Sequence, residues 1–408
     1  MKPSGPIPSH FAAGPNGQLV IEGRSAEELV SEAGGTPLFV YDNNVVGGQV
    51  ARFRAAMPSG LSLYYAVTAN PYEPMLSFLG RYVDGFRIVS AGELEHLSRA
   101  RLHGLPISFA GPGKRDEELD AAIAAGATVS VESEAEAGRA ILAGERLGIQ
   151  PRLAVRVTSP ELHVDGSSAE ILPNPFGVDA DHVPALIQGL LEAGVEWRGL
   201  HIFPGSQCLD ANELIRIHRE SIALAGGIAV KVGMPLPELN LGGGFDIPCY
   251  HGEEPLDVEL VARALGDALC EAPDPLATTL YSMELGRWLI GEAGVYLTRI
   301  IDRKESGGRT YLVTDGGGHH FLSGTGPFAE PPRTNYPIAV ASRFGAPAEE
   351  EVTVTGCLCT PYDVFGDEVM LPRGEAGDLV AVFCAGAYGP SASPQGWESR
   401  PPAREMLV

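Results

Sequence analysis

Four short stretches of the sequence carry residue types suited to holding an anion beside a single carboxylate. Gly242-Gly243-Gly244 places three residues without side chains in a row, so backbone N–H groups can approach a bound anion closely, as a phosphate requires. Glu284-Leu285-Gly286-Arg287 offers a carboxylate, a flexible residue and a guanidinium in immediate succession. Gly205-Ser206 adds a turn with a hydroxyl, and Tyr388, within Gly386-Ala387-Tyr388-Gly389, adds a phenol. Singly, each stretch also reads as a tight turn, a loop salt bridge or a core tyrosine. Together they describe a phosphate cradle with one buried carboxylate.

Elements that could position these residues recur along the chain. Apolar, β-rich runs at Leu61–Val67, Phe86–Val89, Ile107–Ala110, Thr128–Val131, Arg152–Val157, Gly199–Phe203, Leu239–Leu241 and Leu280–Glu284 alternate with amphipathic helical stretches. Ser90-Ala91-Gly92-Glu93 has the spacing of a capping box, Ser133 opens a further helix, and Gly126 stands where the helix Asp116–Ala125 should end. Eight such βα units predict an α/β fold of the (β/α)8 barrel type, with its site at the C-terminal ends of the strands. An open doubly wound sheet has the same periodicity, because both arrangements bury parallel strands. After about residue 290 the rhythm changes to strands joined by turns, at Ala293–Ile301, Arg309–Asp315, Glu351–Gly356 and Asp378–Phe383. The expected division is an N-terminal segment, 1–40, whose strand Gln18–Glu22 packs with the β domain; a barrel, 41–290; and a C-terminal β domain, 291–408.

Composition narrows the partners. A net charge of −23 over 408 residues is ill suited to nucleic acid or an anionic membrane, both of which need a basic surface. No apolar run reaches the length of a membrane span, and MKPSGPIPSH lacks the apolar core of a secretory signal, which leaves the cytoplasm as the expected compartment. Cys357-Leu358-Cys359 has the wrong spacing for a zinc knuckle, no His cluster accompanies it, and no metal is expected.

The motifs, taken in order, resemble the fold-type III pyridoxal-phosphate decarboxylases, the group of ornithine, diaminopimelate and arginine decarboxylases. Thr36-Pro-Leu-Phe-Val-Tyr-Asp42 looks like the family's opening and Tyr65-Ala-Val-Thr-Ala-Asn-Pro71 like its first barrel strand. Ser90–Glu93, Gly199-Leu-His201, Gly205-Ser-Gln207, Gly242-Gly-Gly-Phe245, Glu284–Arg287, Cys359-Thr-Pro-Tyr-Asp363 and Gly386-Ala-Tyr388 follow in matching order, so the resemblance spans nearly the whole chain, from Pro37 to Pro401. It implies an alanine-racemase-like barrel plus β domain, a homodimer, and pyridoxal 5′-phosphate as cofactor. By the same resemblance Glu284 pairs with the pyridine nitrogen, and Ser206, Gly242, Gly243, Gly244, Gly286, Arg287 and Tyr388 bind the phosphate. Cys359 is delivered from a partner subunit as a proton donor, with Asp363 on the same loop; Arg333, Tyr336 and Asp363 line the substrate side.

The chain also departs from that pattern. Thr68 stands where the family has its Schiff-base lysine, and a hydroxyl cannot form an imine. The only lysines are Lys2, Lys114, Lys231 and Lys304; Lys114 ends a barrel strand, but the family often has lysine in that turn too, so it is not read as a replacement. Arg87 stands where the family usually has Asp, and Phe203 where many members stack a histidine on the cofactor ring. Thr360 takes a position often acidic in members that hold a cationic substrate tail, which points away from ornithine, lysine and diaminopimelate. The Cys-Thr-Pro-Tyr-Asp form resembles members from natural-product pathways, some of which act on aminoacyl groups tethered to carrier proteins. Three origins are compatible with Thr68: an engineered variant, a silent paralogue that binds or regulates, and a working protein that holds its cofactor without a covalent bond.

Overall fold

The structure is a computed structural model and describes residues 1–159, 162, 175–326 and 334–408. It divides into two compact units. One comprises Val50–Asp246 and Leu256–Gly286; the other comprises Met1–Gln49, Ile247–Pro255 and Arg287–Val408.

The first unit is a closed barrel. Its parallel strands are β1 (Leu61–Ala66), β2 (Gly85–Ile88), β3 (Ile107–Phe109), β4 (Thr128–Val131), β5 (Arg152–Thr158), β6 (Glu196–Ile202), β7 (Glu238–Asn240) and β8 (Leu280–Leu285), each hydrogen-bonded to the next. The ring closes where β8 pairs with β1, Glu284 opposite Tyr64 and Leu285 opposite Tyr65, and this closure removes the open-sheet alternative. Closure makes alternate residues of each strand face the interior. Apolar residues such as Leu63, Tyr65, Phe86, Ile88 and Phe109 pack outward against the helices and are fully buried. The inward set, with Tyr64, Arg87, Ser108, Ser130, Arg156, His201, Asn240 and Glu284, is polar. A barrel filled by aliphatic layers would need none of these groups.

Helix starts follow sequence chemistry. Ser133 accepts the Glu136 N–H at 3.0 Å, and Asp210 and Asp257 cap the helices Ala211–Val232 and Val258–Cys270 in the same way. The expected capping box at Ser90 forms only by half. Ser90 accepts from Glu93 N, but the Glu93 carboxylate reaches back to the Val89 N–H at 2.8 Å, and so stays at the end of β2.

In the second unit, the strand Gly294–Ser306 is the spine. It pairs with Leu38–Tyr41, Arg309–Thr314 and Leu379–Val382. Leu19 and Ile21, from the N-terminal strand, join a core with Leu38, Val40, Val295, Leu297, Leu379 and Phe383. Besides the two-residue strands Ala12–Ala13 and Arg24–Ser25, the strands here that escaped the sequence reading are Ile338–Val340, Val364–Leu371 and Arg404–Leu407. The first is short, and the second hides its alternation behind Gly366-Asp367-Glu368, where Glu368 takes φ 50°. Ile247–Pro255, which the βα rhythm assigns to the barrel, belongs to this unit because Tyr250 meets the Tyr336 ring edge-on at 5.4 Å and Pro248 accepts from Cys384 Sγ.

Gly199 tests the barrel's construction. The register of β6 against β5 shifts between Trp197 and Gly199. Gly199 takes φ 114°, and an added Cβ would lie 2.0 Å from the Glu238 carbonyl oxygen on β7. Gly199→Ala is expected to cost about 3 kcal/mol or more, the upper end of what a strained backbone position stores. Denaturant titration checks this, and an unchanged midpoint would contradict it.

Candidate active site

Arg87, His201 and Glu284 of the inward set lie toward the C-terminal ends of their strands. Glu284, near the end of β8, has a side chain only 1% exposed. Its Oε1 accepts from Asn240 Nδ2 on β7 at 2.8 Å. Its Oε2 lies 3.5 Å from His201 Nε2 on β6 and 3.3 Å from Arg87 Nε on β2. Burial alone would raise this carboxyl; His201, then Arg87 and Asn240, outweigh it and draw the pKa down to about 2, so the group is anionic. His201 stands in a motif of the sequence and Asn240 in the strand Leu239–Leu241, neither with a role assigned there. Their signal is parity: each occupies an inward position on a strand whose neighbouring positions are apolar.

Thr68 sits in the single turn Val67–Ala69 that directly follows β1. The chain leaves this turn on two fixed contacts, Tyr65 Oη to the Asn70 carbonyl at 3.0 Å and Tyr72 N–H to Asn70 Oδ1 at 2.9 Å. Glu93 lies nearby. Burial raises its carboxyl, while the Val89 N–H, the Thr68 hydroxyl and the Arg87 charge pull it down. Thr68 Oγ1, Arg87 Nε, both His201 ring nitrogens and Glu284 Oε2 are buried without a well-formed hydrogen bond among the described residues. Such a concentration of unsatisfied polar atoms in one place is characteristic of a ligand site.

The triple glycine is shaped by its surroundings. A Cβ on Gly242, Gly243 or Gly244 would come within 2.8 Å of Ile202 O, 1.9 Å of Glu284 O and 2.9 Å of Gly205 O respectively. Gly242 and Gly244 also take φ 68° and 93°. Gly242 N–H donates to Asn240 Oδ1 at 2.8 Å and Glu284 N–H to Gly242 O at 2.7 Å, which ties the loop to the carboxylate. Gly205-Ser206 runs alongside, with Cys208 N–H bound to Gly244 O at 2.9 Å. Gly286 approaches the turn that carries Thr68, its would-be Cβ 2.9 Å from Ala69 Cβ. Phe203 follows β6, with the Arg156 guanidinium 5.7 Å from its ring centroid and 4.9 Å from that of Phe176.

Lys114 is engaged elsewhere. Its ammonium donates to Gly111 O at 2.7 Å, Ser130 O at 2.9 Å and Glu136 Oε1 at 2.5 Å. An ammonium has three protons, and all three are committed. Glu132 completes this buried network through Arg156 at 3.0 Å and the Gly111 and Gly177 N–H groups.

The second unit holds the remaining expected residues. Arg287 opens the short helix Arg287–Ile290, its guanidinium 4.8 Å from the centroid of the Tyr388 ring, so these two members of the expected phosphate set stand together. Tyr336 is buried, edge-on to Phe321 at 5.7 Å, and burial raises its phenol well above the usual range. Cys359 is exposed on a turn after Glu350–Thr355, its N–H donating to Glu398 Oε1 at 2.7 Å. Asp363 is buried and accepts from Gly318 N at 2.7 Å and Leu358 N at 2.9 Å. Within this unit it therefore fixes the loop that presents Cys359. Arg333 lies outside the described residues.

Pyridoxal phosphate, the implied cofactor, fits the barrel unit only in part. The glycine loop is a cradle that any Cβ would fill, and Glu284 is an anion with a free acceptor position. The covalent anchor does not fit, since Thr68 has no amine and Lys114 has no uncommitted proton. The residues present suit the group as a noncovalent guest.

Comparison with known proteins places these observations. Residues 44–291 match the family model described as pyridoxal-dependent decarboxylase, pyridoxal binding domain. The chain is 30% identical to the L-glutamyl-[BtrI acyl-carrier protein] decarboxylase of Niallia circulans, over 91% of this chain and 88% of that one. It is 30% identical to the diaminopimelate decarboxylase of Methanothermobacter thermautotrophicus, over 96% and 91%. Among solved structures, diaminopimelate decarboxylase from M. jannaschii, in complex with L-lysine, superimposes with a TM-score of 0.87 at 25% identity, covering 98% of this chain and 93% of that one. Among the described residues no helix is long and apolar enough to cross a membrane, and no group of three or more His, Cys, Asp or Glu is placed to hold a metal. The barrel closed by β8 and β1, the glycine cradle beside an anionic Glu284 and the match over residues 44–291 agree, and the chain belongs to the pyridoxal-dependent decarboxylase family, whose cofactor is pyridoxal phosphate.

Proposed function

We propose that this protein binds pyridoxal phosphate noncovalently in the barrel and acts on an amino-acid-type substrate of specialised metabolism, the family's decarboxylase chemistry being its ancestral activity. One observation carries the reading: an intact anion cradle and an anionic Glu284 surround a position, residue 68, from which no amine extends. When bound, the cofactor supplies an aldehyde for amines and a ring that draws electrons from the carbon attached to them. The chain's own residues supply the phosphate contacts at Gly242–Gly244, the negative charge of Glu284 and a polar, water-excluding barrel interior. Likeness to the Niallia circulans enzyme supports a substrate class that extends to aminoacyl groups tethered to a carrier protein. Cys359, exposed on a loop fixed by Asp363, suits delivery to a partner subunit's site in a homodimer. Arg333 and Tyr336 complete the substrate side in this reading.

A second reading, a catalytically silent paralogue with a binding or regulatory role, has its own support. Arg87 stands 3.3 Å from Glu284 and competes for the charge that a catalytic ring would need. Assay of CO₂ release across a panel of free and carrier-tethered amino substrates separates the two readings.

Two outcomes are expected. Arg287→Ala should weaken pyridoxal phosphate binding by roughly 10- to 100-fold, since a hydrogen bond to a charged group contributes about 1.5–3 kcal/mol; isothermal titration measures it, and an unchanged dissociation constant would remove Arg287 from the phosphate set. Borohydride reduction of the protein as isolated should fix no cofactor to the chain. Thr68→Lys should gain a visible absorption band with cofactor and be labelled at position 68 after reduction. Label on Lys114 in the unmodified chain would overturn this account of the site.

A further inference from the structure

Among the described residues Arg87 is the one guanidinium that reaches Glu284, and its position follows from register: Arg87 on β2 pairs with Ala66 on β1, the last residue before the turn carrying Thr68. Its side chain is 15% exposed, and its Nε is 3.3 Å from Glu284 Oε2. Tyr64, opposite Glu284 in the β8–β1 register, and Glu238, two residues before Asn240 on β7, share the field of that carboxylate. Asn240 holds the other oxygen at 2.8 Å, His201 Nε2 stands 3.5 Å from Oε2, and Glu93 at the end of β2 shares the field of Arg87. A carboxylate alone in this position would favour a protonated ring nitrogen beside it. A fixed guanidinium at the same oxygen acts in the opposite sense, because an added like charge within about 4–6 Å lowers the pKa of a cationic group by about 1–3 units. Arginine does not lose its proton to relieve the conflict.

We propose that Arg87 sets the ligand class of this barrel, selecting a phosphorylated pyridine whose ring nitrogen is unprotonated. This rests on the noncovalent reading above. The Arg87–Glu284 pair keeps the carboxylate balanced before a ligand arrives, and a neutral ring leaves that pair intact. A pyridinium would have to displace Arg87 and bury a second cation beside it. A ring held neutral is also a weaker electron acceptor, so the residue that selects the ligand also moderates its reactivity. Thr68 and Arg87 then form one adaptation: loss of the amine next to β1 coincides with gain of a permanent cation on the adjacent strand.

The test uses the full-length protein and 4-deoxypyridoxine 5′-phosphate labelled with ¹⁵N in the ring. This probe has the phosphate and pyridine but no aldehyde, so residue 68 cannot affect the result through covalent chemistry. At neutral pH the bound nitrogen should resonate at its unprotonated position in the native protein and in Arg87→Lys, which keeps the charge. In Arg87→Ala it should move to the protonated position, Glu284 then being unopposed. A protonated nitrogen in the native protein, or the same position in native and Arg87→Ala, overturns the role of Arg87 and leaves noncovalent binding standing. Absence of saturable binding to the native protein overturns both.

Discussion

A single buried negative charge organises the mouth of the barrel. Glu284 is almost completely withdrawn from water, and an uncompensated carboxylate there would carry a large desolvation cost. Asn240, His201 and Arg87 converge on it from three other strands, and that convergence requires a closed ring of strands in correct register. The glycine loop depends on the same residue, since the Glu284 backbone closes the space above Gly243 and its N–H holds Gly242 in place. Cradle and carboxylate are therefore one structure, and a shift in β8 would disturb both.

The buried network around Lys114 makes a contrast. It contains as many charges, yet each is paired: Lys114 with Glu136, and Arg156 with Glu132, with backbone groups filling the remaining positions. Among the described residues the Lys114 ammonium there is fully committed. Around Glu284, Thr68 and His201 the polar atoms are buried but poorly satisfied. The difference between a structural ion network and a binding site lies in that accounting, and residue type alone does not reveal it.

Much of the fold was legible in the sequence because barrel strands are buried on both faces and read as apolar runs of limited length, separated by capped helices. All eight are found where those runs stand, with ends differing by a few residues. The β unit was less legible. Strands such as Ile338–Val340 are too short to show a period, and Arg404–Leu407 pairs with Leu38–Tyr41 across nearly the whole length of the chain, a relation with no local signature. The same holds for Tyr250 and Tyr336, whose contact draws Ile247–Pro255 out of the βα rhythm.

At the site, the sequence by itself determined the chemistry available: three glycines in a row, a carboxylate before Gly-Arg, and a threonine where an imine would need an amine. Those are facts of covalent structure, and no fold can change them. The tertiary structure alone decided how they combine. It committed all three protons of Lys114, turned the Glu93 carboxylate from its helix cap to the end of β2, buried Asp363 as the clasp of a loop, and set Arg87 against Glu284. The Lys114 and Arg87 contacts depend on which strands become neighbours when the barrel closes, whereas the Asp363 clasp is made within the second unit and the Glu93 contact is local. Charges that are remote in sequence interact strongly only when they are brought within a few ångströms and shielded from water.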